Sequence, residues 1–133
     1  MAAFEFPADD LMIAYGVTLA ELFENAAYGV VAHVGAGDAV SPHYDVAVMA
    51  IGDTPEELLD DWLRQLRVRG SEAGLSLTSF AVDRLEEGGV QGAASGGRAV
   101  NHPGWADWTI EVIVALPKSF WARLRTVPGS CDA

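Results

Sequence analysis

The run Ala14-Tyr15-Gly16-Val17-Thr18-Leu19-Ala20-Glu21-Leu22-Phe23-Glu24-Asn25-Ala26-Ala27 constrains the fold most, because it joins a strand end, a turn, a helix start and an apolar face. Thr18 and Glu21 form a capping box, in which each side chain takes a backbone N–H that the first helical turn leaves without a partner. Beyond it Leu19, Leu22, Phe23, Ala26, Ala27, Val30 and Val31 recur at the spacing of one helical face, so that face must lie on a core. A helix is predicted from Thr18 to about Val34, where the cluster Gly35-Ala36-Gly37-Asp38 stops it, and a short strand over Leu11 to Tyr15 precedes it.

The same start signal recurs thirty-six residues on, after a β-rich segment, Asp45 to Ile51, and a Gly52-Asp53 turn. Thr54 is the N-cap, Pro55 takes the first helical position, and Glu56 and Glu57 lie in the first turn, where carboxylates complement the helix dipole. Leu58, Leu59, Trp62, Leu63 and Leu66 form the buried face, Arg64, Arg67 and Arg69 crowd the last turns, and Gly70 is the expected stop. The second half reads as sheet. Leu75 to Asp83 is a strand, Gly89 to Ala94 and Gly97 to Asn101 read as a glycine-rich ribbon or loop, and Trp108 to Leu116 is the clearest strand of the chain. In that strand Trp108, Ile110, Val112, Val114 and Leu116 are expected to face the core. Pro117 breaks it, and a short amphipathic helix followed by a flexible tail is expected over 117–133. The fold class is therefore α+β, two amphipathic helices packed on antiparallel sheet, in a single domain over 1–133.

Charge bounds the partners. Eight Lys and Arg face nineteen Asp and Glu, a formal charge of −11, so direct binding of nucleic acid is disfavoured, since such binding draws on cations that neutralise phosphates. The apolar runs are broken well short of the ~20 residues that a membrane helix needs. Met1 to Asp10 carries acids where a secretory signal needs an apolar stretch, and the single Cys131 has no partner for an intrachain disulfide, so a cytoplasmic protein is expected.

The wording of several blocks resembles the archease family. Its members open with a strand carrying an Asp, then a Tyr-Gly turn, then a helix close to Thr-Leu-x-Glu-x-Phe-Glu-Asn-Ala-Ala, which Tyr15 to Ala27 follows. Leu58-Leu59-Asp60-Asp61-Trp62-Leu63 is similar to the family's Leu-Leu-x-x-Trp-Leu helix, Ala73 to Val82 to its next strand, and Arg98-Ala99-Val100 to its Lys-Ala-Val-Thr-Tyr-His block. The resemblance covers roughly residues 4 to 116, with Trp108 to Leu116 in the place of the closing strand. It implies a non-enzymatic accessory protein that helps an RtcB-type RNA ligase become guanylylated and turn over in tRNA splicing or RNA repair. It also implies a site for a divalent cation, Ca²⁺ or Mg²⁺, drawn from an Asp after His-Thr-Ala and an Asp near the end of the closing strand. Asp9, in the step Ala8-Asp9, is the residue that carries over. The His-Thr pair is missing, the second Asp aligns with Ala115, and the Tyr-His becomes His102-Pro103, so the metal site reads as degraded and the cation as weakly bound or absent.

The plainer readings stand beside these. Asp9 and Asp10 are solvated strand-start acids unless the family site persists, and Asp60 and Asp61 are the polar face of their helix. Arg64, Arg67 and Arg69 form either a partner-facing patch or a helix end matched to its dipole. His33, His43 and His102 have no zinc spacing; the glycines of 88–97 match neither a Walker loop nor a dinucleotide fingerprint; no Gly-x-Ser-x-Gly elbow is present. Two alternatives to the ligase role follow. One is a metal-independent binding or oligomerisation module that kept the fold; the other, a small metal-assisted hydrolase, lacks an acid–base pair.

Overall fold

Both helices start where their caps place them. In the computed structural model, which describes residues 3–34, 38–100 and 105–127, the Thr18 hydroxyl accepts the Glu21 N–H at 3.0 Å while Glu21 Oε1 accepts the Val17 N–H at 3.0 Å. Thr54 and Glu57 repeat the device: the Thr54 hydroxyl takes the Glu57 N–H at 3.1 Å and Glu57 Oε1 the Asp53 N–H at 2.9 Å. In each box the Glu reaches the N–H just before the cap, a small variation on the reciprocal pattern. These starts fix α1 (Leu19–Val34) and α2 (Pro55–Ala73). Asn25 Nδ2 also donates to the Tyr15 carbonyl at 2.7 Å, tying the incoming strand to the helix it feeds.

Around them the chain forms β1 (Phe4–Ala8), β2 (Leu11–Gly16), β3 (Asp38–Ile51), β4 (Leu75–Glu86), β5 (Gly89–Val100), β6 (Trp108–Leu116) and β7 (Ser119–Thr126). They lie in two antiparallel sheets, a four-stranded one in the order β1-β2-β7-β6 and a three-stranded one in the order β3-β5-β4. The architecture is the expected α+β, with its strands divided between two sheets. Helix α1 packs on β2 and β4, and α2 on β3 and β6, so each helix touches both sheets. The shared core joins Leu22, Phe23, Ala26 and Val30 of α1 and Leu59, Trp62 and Leu66 of α2 to Met12, Ala14, Val48, Val90, Ala122 and Leu124 of the strands.

Four local expectations are corrected. Gly70 does not end α2; the helix runs to Ala73 and stops at Gly74, which adopts the left-handed conformation at φ 68° that a C-cap favours. Gly70 is buried instead, where a Cβ would press on Leu77 at 3.0 Å. The helix expected after Pro117 is β7, because Phe120, Ala122 and Leu124 alternate with Trp121, Arg123 and Arg125, and strand period decides between the two. The tail at 128–133, with Cys131, lies outside the described residues. The glycine-rich ribbon is the continuous central strand β5 of its sheet. In β6 a bulge between Ile110 and Val112 shifts the phase, so Trp108, Ile110 and then Ile113, rather than Val112 and Val114, pack on the core.

Candidate functional site

Asp9, the residue singled out from the sequence, does not sit on a strand. Ala8 pairs with Leu11, which leaves Asp9 and Asp10 as the two-residue turn of the β1–β2 hairpin, both exposed. The turn is held by its backbone. The Asp10 carbonyl accepts the Thr126 N–H of β7 at 2.9 Å, and the Asp9 carbonyl accepts His33 Nε2 at 2.9 Å from the last turn of α1. A carbonyl only accepts, so His33 carries its proton on Nε2 in that bond. Its ring stands edge-on to Trp108 at 4.9 Å and against Phe6 at 5.7 Å. Among the described residues neither His33 Nδ1 nor the buried Trp108 Nε1 finds a hydrogen-bond partner.

The carboxylate beside Asp9 is occupied. Asp10 Oδ2 accepts Arg125 Nη1 at 3.1 Å, and Arg125 Nε in turn donates to Glu111 Oε2 at 3.1 Å. Arg123 Nε completes the cluster on Glu111 Oε1 at 2.9 Å. The hydrogen bond from Arg125, with Arg123 adding to it, holds the Glu111 carboxyl below the usual carboxylate range; the bonds to Glu111 and Asp10 raise Arg125 further above its own. All of these groups are solvent-facing, so the network fixes geometry more than it adds stability.

A divalent cation does not fit this turn. A hard cation takes about six oxygens, and here a guanidinium sits on Asp10 while His33 points its N–H at the neighbouring carbonyl. Among the described residues no group of three or more His, Cys, Asp and Glu is placed to hold a metal ion. The expected second position also fails on geometry. Ala115 pairs with Phe120, whereas Asp10 bonds Thr126 six residues farther along β7, about 20 Å away at strand rise. Even a carboxylate at Ala115 would not meet Asp9; the strand that ends beside the turn is β7, at Thr126 and Val127. Calorimetric titration with Ca²⁺, Mg²⁺ or Mn²⁺ should accordingly show no saturable binding at micromolar concentration. Binding abolished by Asp9→Ala would mean that other oxygens complete the site.

The remaining candidates scatter. His43 is exposed on β3 in register with Gly97, His33 lies in the last turn of α1, and His102 lies outside the described residues. The arginines of α2 each meet acids: Arg64 pairs with Asp60, Arg69 with Glu72 at 3.5 Å, and Arg67 with Asp107 of the segment leading into β6. Arg64 and Arg67 line a cleft of about 270 Å³ with Trp105, Asp107 and Trp108. Sequence reading did not find this cleft, because forty residues separate Arg67 from Asp107 and no motif links them. Its described lining combines the paired ions with aromatic walls and Thr109.

Comparison with known proteins agrees with the fold and the sequence blocks. Residues 2–112 match the model of the Archease protein family (MTH1598/TM1083). The chain is similar to the curated "Protein archease" of Aeropyrum pernix, with 39% identity over 82 residues, covering 62% of this chain and 57% of that protein. The chain thus spans a little over half the length of the curated relative it matches. The solution structure of Methanobacterium thermoautotrophicum protein 1598 shares the fold, with a TM-score of 0.61 at 22% identity, covering 96% of this chain and 100% of that one.

Proposed function

The chain belongs to the archease family of accessory proteins, and from that premise we propose that it promotes guanylylation and turnover of an RtcB-type RNA ligase in tRNA splicing or RNA repair. The observation that carries this reading is the family match over 2–112, which spans both capped helices, β1 to β5 and the first half of β6. An accessory role asks for no catalytic group. It asks for a surface with higher affinity for the ligase conformer competent in nucleotide transfer, because a partner shifts an equilibrium only through its differential affinity for two states. The charge of −11 supports contact with the ligase protein rather than with its RNA. Among the described residues no helix is long and apolar enough to cross a membrane, and action in the cytoplasm is part of the same proposal.

One observation favours a metal-independent form of this role. The Asp10 carboxylate is bound by Arg125 and the Asp9 carbonyl by His33, so the turn acts as a rigid hairpin tip rather than as a cation site. Single-turnover guanylylation of the cognate ligase, with and without the protein, is the test. Acceleration of about tenfold is expected, equivalent to about 1.4 kcal/mol off the barrier. Asp9→Ala should retain it, and the protein alone should show no ligase, nucleotidyl-transfer or RNA-binding activity. No acceleration together with no complex in a pull-down would leave a binding or oligomerisation module that kept the fold without the ligase role.

A further inference from the structure

The sheet edges of this molecule are not treated alike. The edge of β4 is covered by α1, whose Tyr28 hydroxyl takes the Phe80 N–H at 3.2 Å and whose Glu24 takes the Val82 N–H at 2.8 Å. On β6, Glu56 of α2 takes the Ile113 N–H at 3.3 Å. The β1 edge is five residues long and interrupted by a bulge that spans Pro7. Covering, shortening and bulging are the ways natural sheets keep other chains from pairing with an edge. Among the described residues the fourteen-residue β3 has one such cover, at its end, where Asp61 Oδ2 accepts the Ile51 N–H at 2.9 Å.

Because Ile51 N–H points away from β5 and the ladder is regular from His43 to Ile51, the N–H and C=O groups of Asp45, Ala47 and Met49 point the same way. The side chains of these residues share the outer face, with Met49 62% and Ile51 73% exposed. No Lys or Arg occurs in β3, and its one proline, Pro42, precedes this segment. At the Ile51 end the edge opens into a groove of about 770 Å³ between α2 and the β4–β5 turn, lined among the described residues by Asp53, Glu57, Asp60 and Asp61 and by one cation, Arg64, which is paired with Asp60.

We propose that the β3 edge, from Asp45 to Ile51, docks an extended segment of a partner protein by strand addition, with apolar residues against Met49 and Ile51 and Lys or Arg in the carboxylate groove. Main-chain hydrogen bonds to a free edge supply affinity in this mode, and pockets for particular side chains supply specificity. An added strand antiparallel to β3 begins beside Ile51, so its basic residues lie at its N-terminal end. Charge excludes a second copy as the favoured occupant: both copies carry −11, and the groove would meet its own sign. The docking site stands whether or not the partner is a ligase.

The probe is a synthetic peptide, Arg-Lys-Thr-Val-Thr-Val-Thr, labelled at its C-terminus and titrated with the whole protein by fluorescence anisotropy. Saturable binding is expected, with amides 47 and 49 protected from hydrogen exchange when the peptide is added. Met49→Lys, a surface change, should weaken it at least tenfold. So should Ala47→Pro, which removes an outward N–H without touching the β3–β5 ladder. A peptide headed by Glu-Glu should not bind. The far-ultraviolet spectrum and denaturation midpoint report whether each variant folds, and Met49→Lys decides alone if Ala47→Pro does not. No binding, binding indifferent to Met49→Lys, equal binding of the Glu-headed peptide, or no change in exchange at 47 and 49 would each overturn the proposal. A dimer in light scattering that Met49→Lys dissolves would do the same and make a second copy the occupant.

Discussion

Trp62→Ala should cost about 3–5 kcal/mol, the range for removing a fully buried large aromatic. The ring is 0% exposed and lies in the core that joins both helices to both sheets. Its Nε1–H donates to the Phe23 carbonyl of α1 at 3.2 Å, so the truncation opens a cavity and also strips a buried carbonyl of its donor. Against the roughly 5–15 kcal/mol by which ordinary domains are stable, about a fifth or more of the total is at stake. Urea denaturation measures it: the midpoint should fall with the slope unchanged, because the area exposed on unfolding hardly alters. Trp62→Phe also loses the N–H but leaves a smaller cavity, so it should cost about 2–3 kcal/mol, less than the alanine variant. A loss below about 1 kcal/mol for the alanine variant would mean that the ring is not packed as described.

That the face of α2 carrying Trp62 was readable, while much of the strand half was not, has physical causes. Caps and a 3.6-residue period are local signals, and Thr18, Thr54 and the leucines they precede state them within a few residues. Strand assignments depend on neighbours. Ser119 to Thr126 contains enough apolar and basic residues to suggest a helix, and only its pairing with β2 and β6 makes the period-two pattern of Ala122 and Leu124 decisive. The bulge in β6 that turns Ile113 inward leaves no mark in the sequence. For the candidate site, Asp9 was identifiable as a residue but not as a hairpin tip. Missing β7 also misplaced the closing strand, so Ala115 was set opposite Asp9 although it lies at the other end of its hairpin. Glycine misled for a further reason: it weakens a strand unless something must come close, and what comes close to β5 belongs to elements distant in sequence.

Gly96 is the sharpest instance, and its replacement should be the second most damaging change. It lies in the middle strand of the three-stranded sheet, in register with Tyr44 of β3 and Leu77 of β4, next to the bulge between Leu77 and Ser79. A Cβ at Gly96 would lie closer than 3.0 Å to Ser76 O, Ser76 C and Leu77 Cα. All three are backbone atoms, so no side-chain rotation relieves the overlap and β4 and β5 would have to part. Gly96→Ala should therefore cost about 3 kcal/mol, at the upper end of overpacking losses. At roughly 3 °C per kcal/mol for a chain of this size, the melting temperature should fall by about 10 °C. Gly89→Ala on the same strand is the control. Its nearest neighbour, Ala50 O, lies at 3.7 Å, an ordinary contact, so the change should stay within about 0.5 kcal/mol. If both variants melt together, the loss at Gly96 reflects glycine's backbone freedom in general, and the close approach of β4 to β5 at Ser76 is not what selects glycine there.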